Sequence, residues 1–240
     1  MPETVTINRT KYSITNPADL IQRTLVNKIQ WNSQIVDLIE TLVNSQLLNH
    51  FVNVGAHIGT VCMPVSNYVE KVTAIEAYPP TYKQLVANVA LNGITNITCH
   101  NVAIGAKDDT VYFMSEEHER VQNNTGGMHV FTETDILESR RSAKLCDKKI
   151  SCQMKRFDDM NIEPFDIILV DIEGMEYDFL QGARESLLRC KPVIIIEIWG
   201  DSKRQSENMT TTQDDIVKYI LALNYKLFTN IGDDFVFFPL

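Results

Sequence analysis

The sequence predicts an α/β fold in which a mostly parallel sheet is covered by helices on both faces. Three observations carry that prediction. From His50 onward, short apolar strands alternate with helical segments, the pattern of strand–helix–strand units rather than of a run of hairpins. The strands are compact apolar runs, most strongly Val193-Ile-Ile-Ile196, as expected for strands buried on both faces. The chain closes on two further strand-like segments, Tyr225–Thr229 and Phe235–Phe238, around Gly232-Asp-Asp, so the sheet is expected to carry an antiparallel terminal hairpin.

The elements follow in order. Residues 1–49 read as an N-terminal strand and helical extension packed on the core, and residues 50–240 as the main domain with an irregular insert at 105–156. Val5-Thr-Ile7 alternates like an edge strand. Asn16-Pro17 has the look of an N-cap with proline at the first helical position. Leu20, Ile21, Leu25 and Ile29 then recur at helical spacing, and Ile35, Leu38, Ile39, Leu42 and Val43 mark a second helix. Phe51–Val54 is a strand, Gly59–Tyr68 a helix and Val72–Ile75 a second strand. Pro79-Pro80 opens a helix through Leu91, Gly93 stops it, and Ile97–Val102 is a third strand. In the insert, Thr110–Met114 and Ile150–Met154 read as strands on either side of the turn-rich Asn123-Asn-Thr-Gly-Gly127. The alternation resumes with a strand at Phe165–Val170, a helix at Met175–Cys190, the central strand Val193–Ile196 and a helix at Gln213–Leu223.

Composition narrows the function classes. The chain has 240 residues, 44% of them hydrophobic and 22% charged, as in an ordinary globular domain. No apolar run reaches the roughly 18 residues of a membrane span, and Met1-Pro-Glu-Thr-Val lacks the basic-then-apolar texture of a secretory leader. A cytoplasmic protein is expected. The net charge of −9 argues against nucleic acid as a general partner. The one basic stretch, Arg140-Arg141 with Lys144, Lys148 and Lys149, is broken by acids and lacks aromatics, which suits a solvated face. Five scattered cysteines, Cys62, Cys99, Cys146, Cys152 and Cys190, include no Cys-x-x-Cys. They read as reduced, mostly buried thiols; no metal site is expected, a Mg²⁺ site from Asp171, Glu173 and Glu176 being the lesser alternative.

The segment Val52-Asn53-Val54-Gly55-Ala56-His57-Ile58-Gly59 joins an apolar strand to a helix through a turn with two glycines. Glycine permits positive φ and close approach of a ligand to the backbone. Glu76 lies 21 positions beyond Gly55, at the end of the next strand, where an acid can accept hydrogen bonds from both hydroxyls of a ribose. His57 and Thr60 stand where a dinucleotide fingerprint would have its second and third glycines. The turn therefore suits a nucleoside cofactor without a pyrophosphate, and S-adenosylmethionine is the candidate. No Gly-Lys-Ser/Thr follows the turn, which excludes a P-loop.

These segments resemble a known family. Phe51-Val-Asn-Val-Gly-Ala-His-Ile-Gly59, Ala74-Ile-Glu-Ala-Tyr-Pro79, Asn101-Val-Ala-Ile-Gly105 and Val170-Asp-Ile-Glu-Gly-Met-Glu176 are similar to four successive motifs of FkbM-type methyltransferases. The resemblance covers roughly residues 50–200. It implies a Rossmann-like, seven-stranded class I methyltransferase domain that takes S-adenosylmethionine and releases S-adenosylhomocysteine. By the same resemblance, Gly55 and Gly59 shape the cofactor turn, Ala56 and His57 line it, and Glu76 holds the ribose. Ala77 and Tyr78 border the adenine, Asn101, Val102 and Ala103 border its edge, and Asp171 faces the reacting end. Asn53 departs from the family pattern, which has Asp there to help hold the cofactor's ammonium. His57 stands where Asn is common, and Leu169 where Lys is frequent.

Four side chains are candidates for the chemistry. Asp171 and Glu173 follow a central strand and would point to one side if the chain stayed extended there, Glu173 alternatively serving as a helix cap. Glu197 ends the most apolar strand and either faces a site or is paired. His129 follows the glycine-rich loop and is either an acid–base imidazole or a surface residue. Trp199 is either a wall for the acceptor or ordinary packing, and Glu176 reads as a first-turn helix acid. The expected activity is O-methylation of a hydroxyl on a small molecule or glycan, a sugar foremost. A degenerate binding module, an RNA methyltransferase and a nicotinamide-dependent dehydrogenase are the competing readings. The helices within 17–48 would serve either a homodimer interface or packing on the sheet.

Overall fold

The computed structural model of the protein describes residues 3–46, 48–114, 123–133 and 149–240. Cys146, His118 and most of the basic stretch lie outside them; Lys149 lies within, its Nζ 3.9 Å from the centre of the Tyr112 ring.

The N-terminal part is a hairpin and two helices. β1 (Glu3–Ile7) pairs antiparallel with β2 (Thr10–Ile14). The connecting Asn8 and Arg9 both have positive φ, 46° and 70°, as a two-residue hairpin turn requires. Only the first of these strands is legible in the sequence, because Thr10–Ile14 carries a single strongly apolar alternation. α1 (Leu20–Val26) starts later than the Asn16-Pro17 signal. Its cap is Asp19, whose Oδ1 accepts from Gln22 N at 3.0 Å. Ile29 falls beyond its end and is 59% exposed. α2 (Ser33–Gln46) runs where expected. The apolar residues of both helices, Ile21, Leu25, Ile35, Ile39, Leu42 and Val43, are buried in the core, so their periodicity serves intrachain packing.

The central sheet has seven strands in the order β11-β12-β10-β9-β3-β4-β5. Here β3 is His50–Val54, β4 Lys71–Ile75, β5 Ile97–His100, β9 Ile167–Val170 and β10 Val193–Glu197. These five are parallel. β11 (Tyr225–Ile231) and β12 (Asp234–Pro239) form the terminal hairpin, and β12 inserts antiparallel beside β10. β9 is the middle strand and β10 sits next to it.

Alternation along the strands splits the core in two. Phe51, Val72, Ile167, Leu169, Val193 and Ile195 face a layer with α1, α2, α3 (Cys62–Val65) and α4 (Pro79–Leu91). Val52, Val54, Ile168, Val170, Ile194 and Ile196 face α5 (Glu176–Gly182), α6 (Arg184–Cys190) and α8 (Gln213–Ala222). Helices therefore cover both faces.

Several segments differ from the expected bounds for local reasons. The helix expected over Gly59–Tyr68 is reduced to α3. Ser66 Oγ donates to Met63 O and Asn67 Nδ2 to Pro64 O, and such side-chain bonds compete with helix continuation. The strand expected through Val102 stops at His100, because Asn101 turns its amide back onto the Glu76 and Ala77 carbonyls. Ala103–Ile104 (β6) then joins β7 (Asp109–Met114) and β8 (Lys149–Lys155) in a separate small sheet. The helix expected at Met175–Cys190 breaks at Ala183, beside Gly182, whose backbone lies so close to Gly105 O that a Cβ would come within 2.0 Å of it. α7 (Asp201–Ser206) is a short helix without apolar periodicity and had no signal.

The hairpin is fastened to the core by asparagines. Asn88, fully buried in α4, accepts from Ser13 N at 2.8 Å and donates to Ile58 O at 2.9 Å, tying β2 to the glycine turn.

Candidate active site

Strand order reverses between β3 and β9. From β3 the chain proceeds outward to β4 and β5, then returns to lay β9 and β10 on the other side. Ligands of open α/β sheets bind outside the carboxyl ends at such a switch, and a cleft opens there. It is lined by Asn53–His57, Ile75–Tyr78, Val102–Ile104, Thr125, Gly126, Met128 and Asp171–Glu173, among others.

The turn after β3 has a steric reason for its first glycine. Gly55 has φ +86°, and a Cβ on it would lie 1.7 Å from the Asp171 carbonyl oxygen. The ends of β3 and β9 are locked at this point, with Asp171 N donating to Val54 O at 3.0 Å. Gly59, at φ +95°, packs against Leu85 and Met63 and lies behind the cleft wall.

Glu76 ends β4 under the turn. Its Oε2 accepts from His57 N and its Oε1 from Tyr78 N, each at 2.8 Å. Burial pushes its carboxyl up to about 7, against the pull of those backbone donors. Each oxygen keeps a second lone pair for a ligand hydroxyl. Ala77, Tyr78, Val102 and Ala103 line the same end. Asn101 is outside the lining, and its Nδ2 holds the Glu76 and Ala77 carbonyls at 2.9 and 3.0 Å, shaping the loop from behind. Asn53 Oδ1 and His57 Nδ1 are buried without a hydrogen-bond partner among the described residues. Orphaned acceptors of this kind are rare in folded proteins and fit a ligand that brings donors. The cleft thus suits S-adenosylmethionine: a carboxylate with lone pairs left for a ribose diol, a glycine turn for close approach and two buried, unpartnered polar atoms on side chains of its lining.

The other end is acidic. Carboxylate oxygens of Asp171, Glu173 and Glu197 all lie within 4.8 Å of one another. The chain is not extended between the first two: β9 ends at Val170, and Glu173 and Gly174 have φ 53° and 101°. The two acids meet through a turn, and a non-glycine residue in the left-handed region marks local strain. Burial, then Glu197 and Glu173, holds the Asp171 carboxyl well above the usual range. Burial and Glu197 push Glu173 up to about 8, opposed by Lys203. Burial raises Glu197 too, while Lys203 and the Trp199 indole favour its charged form. Trp199 Nε1 donates to Glu197 Oε2 at 2.7 Å. Trp199 itself is buried, with Lys203 Nζ 3.5 Å from its ring centre, so it packs beneath the site and offers no exposed face.

His129 is brought to this end. Its Nδ1 lies 3.1 Å from the Glu173 carbonyl and therefore donates, its Nε2 is 3.7 Å from Glu207, and its ring meets Trp199 edge-on. Glu176, at the start of α5, accepts from Gly174 N at 2.8 Å and faces Arg204 at 3.7 Å, both side chains almost fully buried. Sequence reasoning missed Asp19, Thr125 and Arg204. Asp19 had a helix-cap signal three residues from the one followed, Thr125 lay inside a loop read only as a turn, and Arg204 belongs to the helix that had no periodicity.

A doubly wound parallel sheet, a glycine turn at its switch and an acid after the second strand are the layout of the Rossmann-like, class I methyltransferase fold. The chain belongs to the methyltransferase FkbM domain family, whose model matches residues 53–227. Among solved structures it is similar to a methyltransferase FkbM from Methylobacillus flagellatus KT, with a TM-score of 0.53 at 19% identity. That match covers 80% of this chain and 43% of the neighbour, so the chain spans less than half of that protein. A Staphylococcus aureus protein provisionally assigned as a caffeoyl-CoA O-methyltransferase aligns with a TM-score of 0.50 at 15% identity, over 90% of this chain and 88% of that one. Both likenesses concern the fold. No curated protein matches the chain.

Proposed function

We propose that the protein transfers the methyl group of S-adenosylmethionine to a hydroxyl of a small molecule or glycan, a sugar foremost, in the cytoplasm. The observation that carries this reading is the pair of carboxylates lining one end of the cleft, Asp171 and Glu173, with Glu197 within 4.8 Å of both, while the other end carries Glu76 beneath a glycine turn. When bound, the cofactor supplies an electrophilic methyl on a sulfonium and leaves as a thioether.

The protein's part is alignment and proton removal. Glu76 holds the ribose, Ala77, Tyr78, Val102 and Ala103 border the adenine, and the Gly55 turn lets the backbone approach. Three acids this close cannot all ionise at neutral pH. They share protons, and an unprotonated member takes the proton of the acceptor hydroxyl as its oxygen bonds to the methyl carbon and the carbon–sulfur bond breaks. Asp171 is the proposed base because it ends the middle strand and lines the cleft. Glu197 and Glu173 raise its proton affinity, and Glu173, which lines the cleft, orients the acceptor. His129, whose Nδ1 is engaged by the Glu173 carbonyl, steadies the Glu173 turn. Residues 1–49 are an extension of this same domain.

The test is methyl transfer from labelled S-adenosylmethionine to a panel of sugars and other hydroxyl compounds. Wild type is expected to methylate a member of the panel, and Asp171→Asn to bind the cofactor with kcat about 10²–10⁴-fold lower. Cofactor binding without transfer to any hydroxyl would favour a binding module.

A further inference from the structure

The two orphaned acceptors of the cleft are not equivalent. Asn53 Oδ1 is an acceptor by its chemistry, but an imidazole nitrogen accepts only if the ring proton sits on the other nitrogen. A chain of hydrogen bonds leading out of the cleft decides the matter for His57. Asp19 is fully buried at the cap of α1. Its Oδ1 accepts from Gln22 N at 3.0 Å, and its Oδ2 accepts from Thr125 N at 2.7 Å and Thr125 Oγ1 at 2.9 Å. A carboxylate has no proton to give, so the single hydroxyl hydrogen of Thr125 is committed to Asp19. Thr125 Oγ1 also lies 2.9 Å from His57 Nε2, and there it can only accept. Nε2 therefore carries the ring proton, and Nδ1, buried without a partner among the described residues, keeps its lone pair. Burial holds the imidazole down to about 4, which leaves the ring neutral at neutral pH.

We propose that Asp19 and Thr125 are positioning residues that lock His57 in its Nε2–H form, so that His57 Nδ1 and Asn53 Oδ1 together accept the ammonium of the cofactor. The proposal rests on the methyltransferase reading above. It explains how a chain with uncharged Asn53 holds a cation: a second neutral acceptor is supplied two residues beyond the Gly55 turn. It also gives the segment around Thr125 a function, since the same threonine joins the N-terminal extension to the cofactor turn across 106 and 68 positions of sequence.

Two measurements test it. Long-range ¹H–¹⁵N correlation spectra of histidine-labelled, ligand-free protein at neutral pH read the tautomer directly, with His57→Phe giving the assignment. The expected His57 signal is the Nε2–H form in wild type and Thr125→Ser, and a mixture in Thr125→Val. Calorimetry then compares S-adenosylhomocysteine, which has the ammonium, with 5′-methylthioadenosine, which shares the nucleoside and lacks the amino-acid end. Thr125→Val should bind S-adenosylhomocysteine about tenfold more weakly, the scale of one hydrogen bond to a charged group. Thr125→Ser should restore it, and methylthioadenosine should bind all three proteins alike. An Nδ1–H signal in wild type, unchanged S-adenosylhomocysteine affinity in Thr125→Val, or equal losses for both ligands would overturn the proposal. Failure of wild type to bind either ligand would instead overturn the methyltransferase reading and the ammonium role with it, while the tautomer would still be decided by the ligand-free spectra.

Discussion

Glu76, buried, and Asp171, half-buried, are acids at the carboxyl ends of the two parallel strands that flank β3, yet they are kept in opposite company. Glu76 receives two backbone N–H groups at 2.8 Å, which favour its charged form against the burial that raises its carboxyl to about 7. Asp171 faces Glu197 and Glu173, and its carboxyl lies well above the usual range. Backbone donors make a carboxylate that binds, whereas neighbouring carboxylates make a group that holds and passes a proton. The Glu76 end of the cleft is thus built from main-chain geometry, and the Asp171 end from side-chain charge.

Substitutions at the two ends should fail differently, and the largest effect belongs to the main chain where the ends touch. Gly55→Ala forces a Cβ onto the Asp171 carbonyl in a left-handed backbone. It should destabilise by about 3 kcal/mol or more, a Tm fall of roughly 6–12 °C for a chain of this size, with cofactor binding lost. An unchanged Tm in a melting scan would contradict the packing described for that turn.

Next comes Asp171→Asn, with its fall of about 10²–10⁴-fold in kcat. Because the substitution relieves like-charge crowding, Tm should hold or rise. A large Tm loss would mean that Asp171 is structural. Smaller is the effect of Glu76→Gln, which should weaken S-adenosylmethionine about 10–100-fold, as for hydrogen bonds to a charged acceptor, without moving a proton-transfer step.

The mildest test is pH. Glu76, Glu176 and Asp234 are raised to about 7 and Glu173 to about 8, from ordinary values of 4.5 for Glu and 3.8 for Asp. Between the ordinary and the raised values the folded chain binds more protons than the unfolded one, so stability falls as pH rises through that window. Ligand-free protein should melt higher at about pH 5 than at about pH 8, and Glu173→Gln should shrink the difference. A Tm that rises over that interval would contradict the placement of these acids.

The same contrast explains what the sequence made legible. The order of strand, Gly55 turn, helix and Glu76 spans 27 residues, Phe51–Ala77, and its geometry follows from local rules about glycine and strand ends. The parallel sheet and inserted hairpin were readable from Val193–Ile196 and the Gly232 turn for the same reason. The acid end draws on Asp171, Glu173, Glu197, Trp199, Lys203 and His129 across two elements and three loops. The acids could be named, but their meeting through a turn at Glu173 rather than along an extended strand is a tertiary fact. The Asp19–Thr125–His57 chain was illegible because each member has an ordinary local role as cap, turn residue or turn lining. Only the fold brings them together.

The most direct test of the account is a calorimetric titration of S-adenosylhomocysteine into wild type, Glu76→Gln and Asp171→Asn. Saturable binding to wild type, weakened about 10–100-fold in Glu76→Gln and largely kept in Asp171→Asn, is the predicted result. No binding to wild type, or equal affinity in Glu76→Gln, would contradict a cofactor cleft with Glu76 at the ribose.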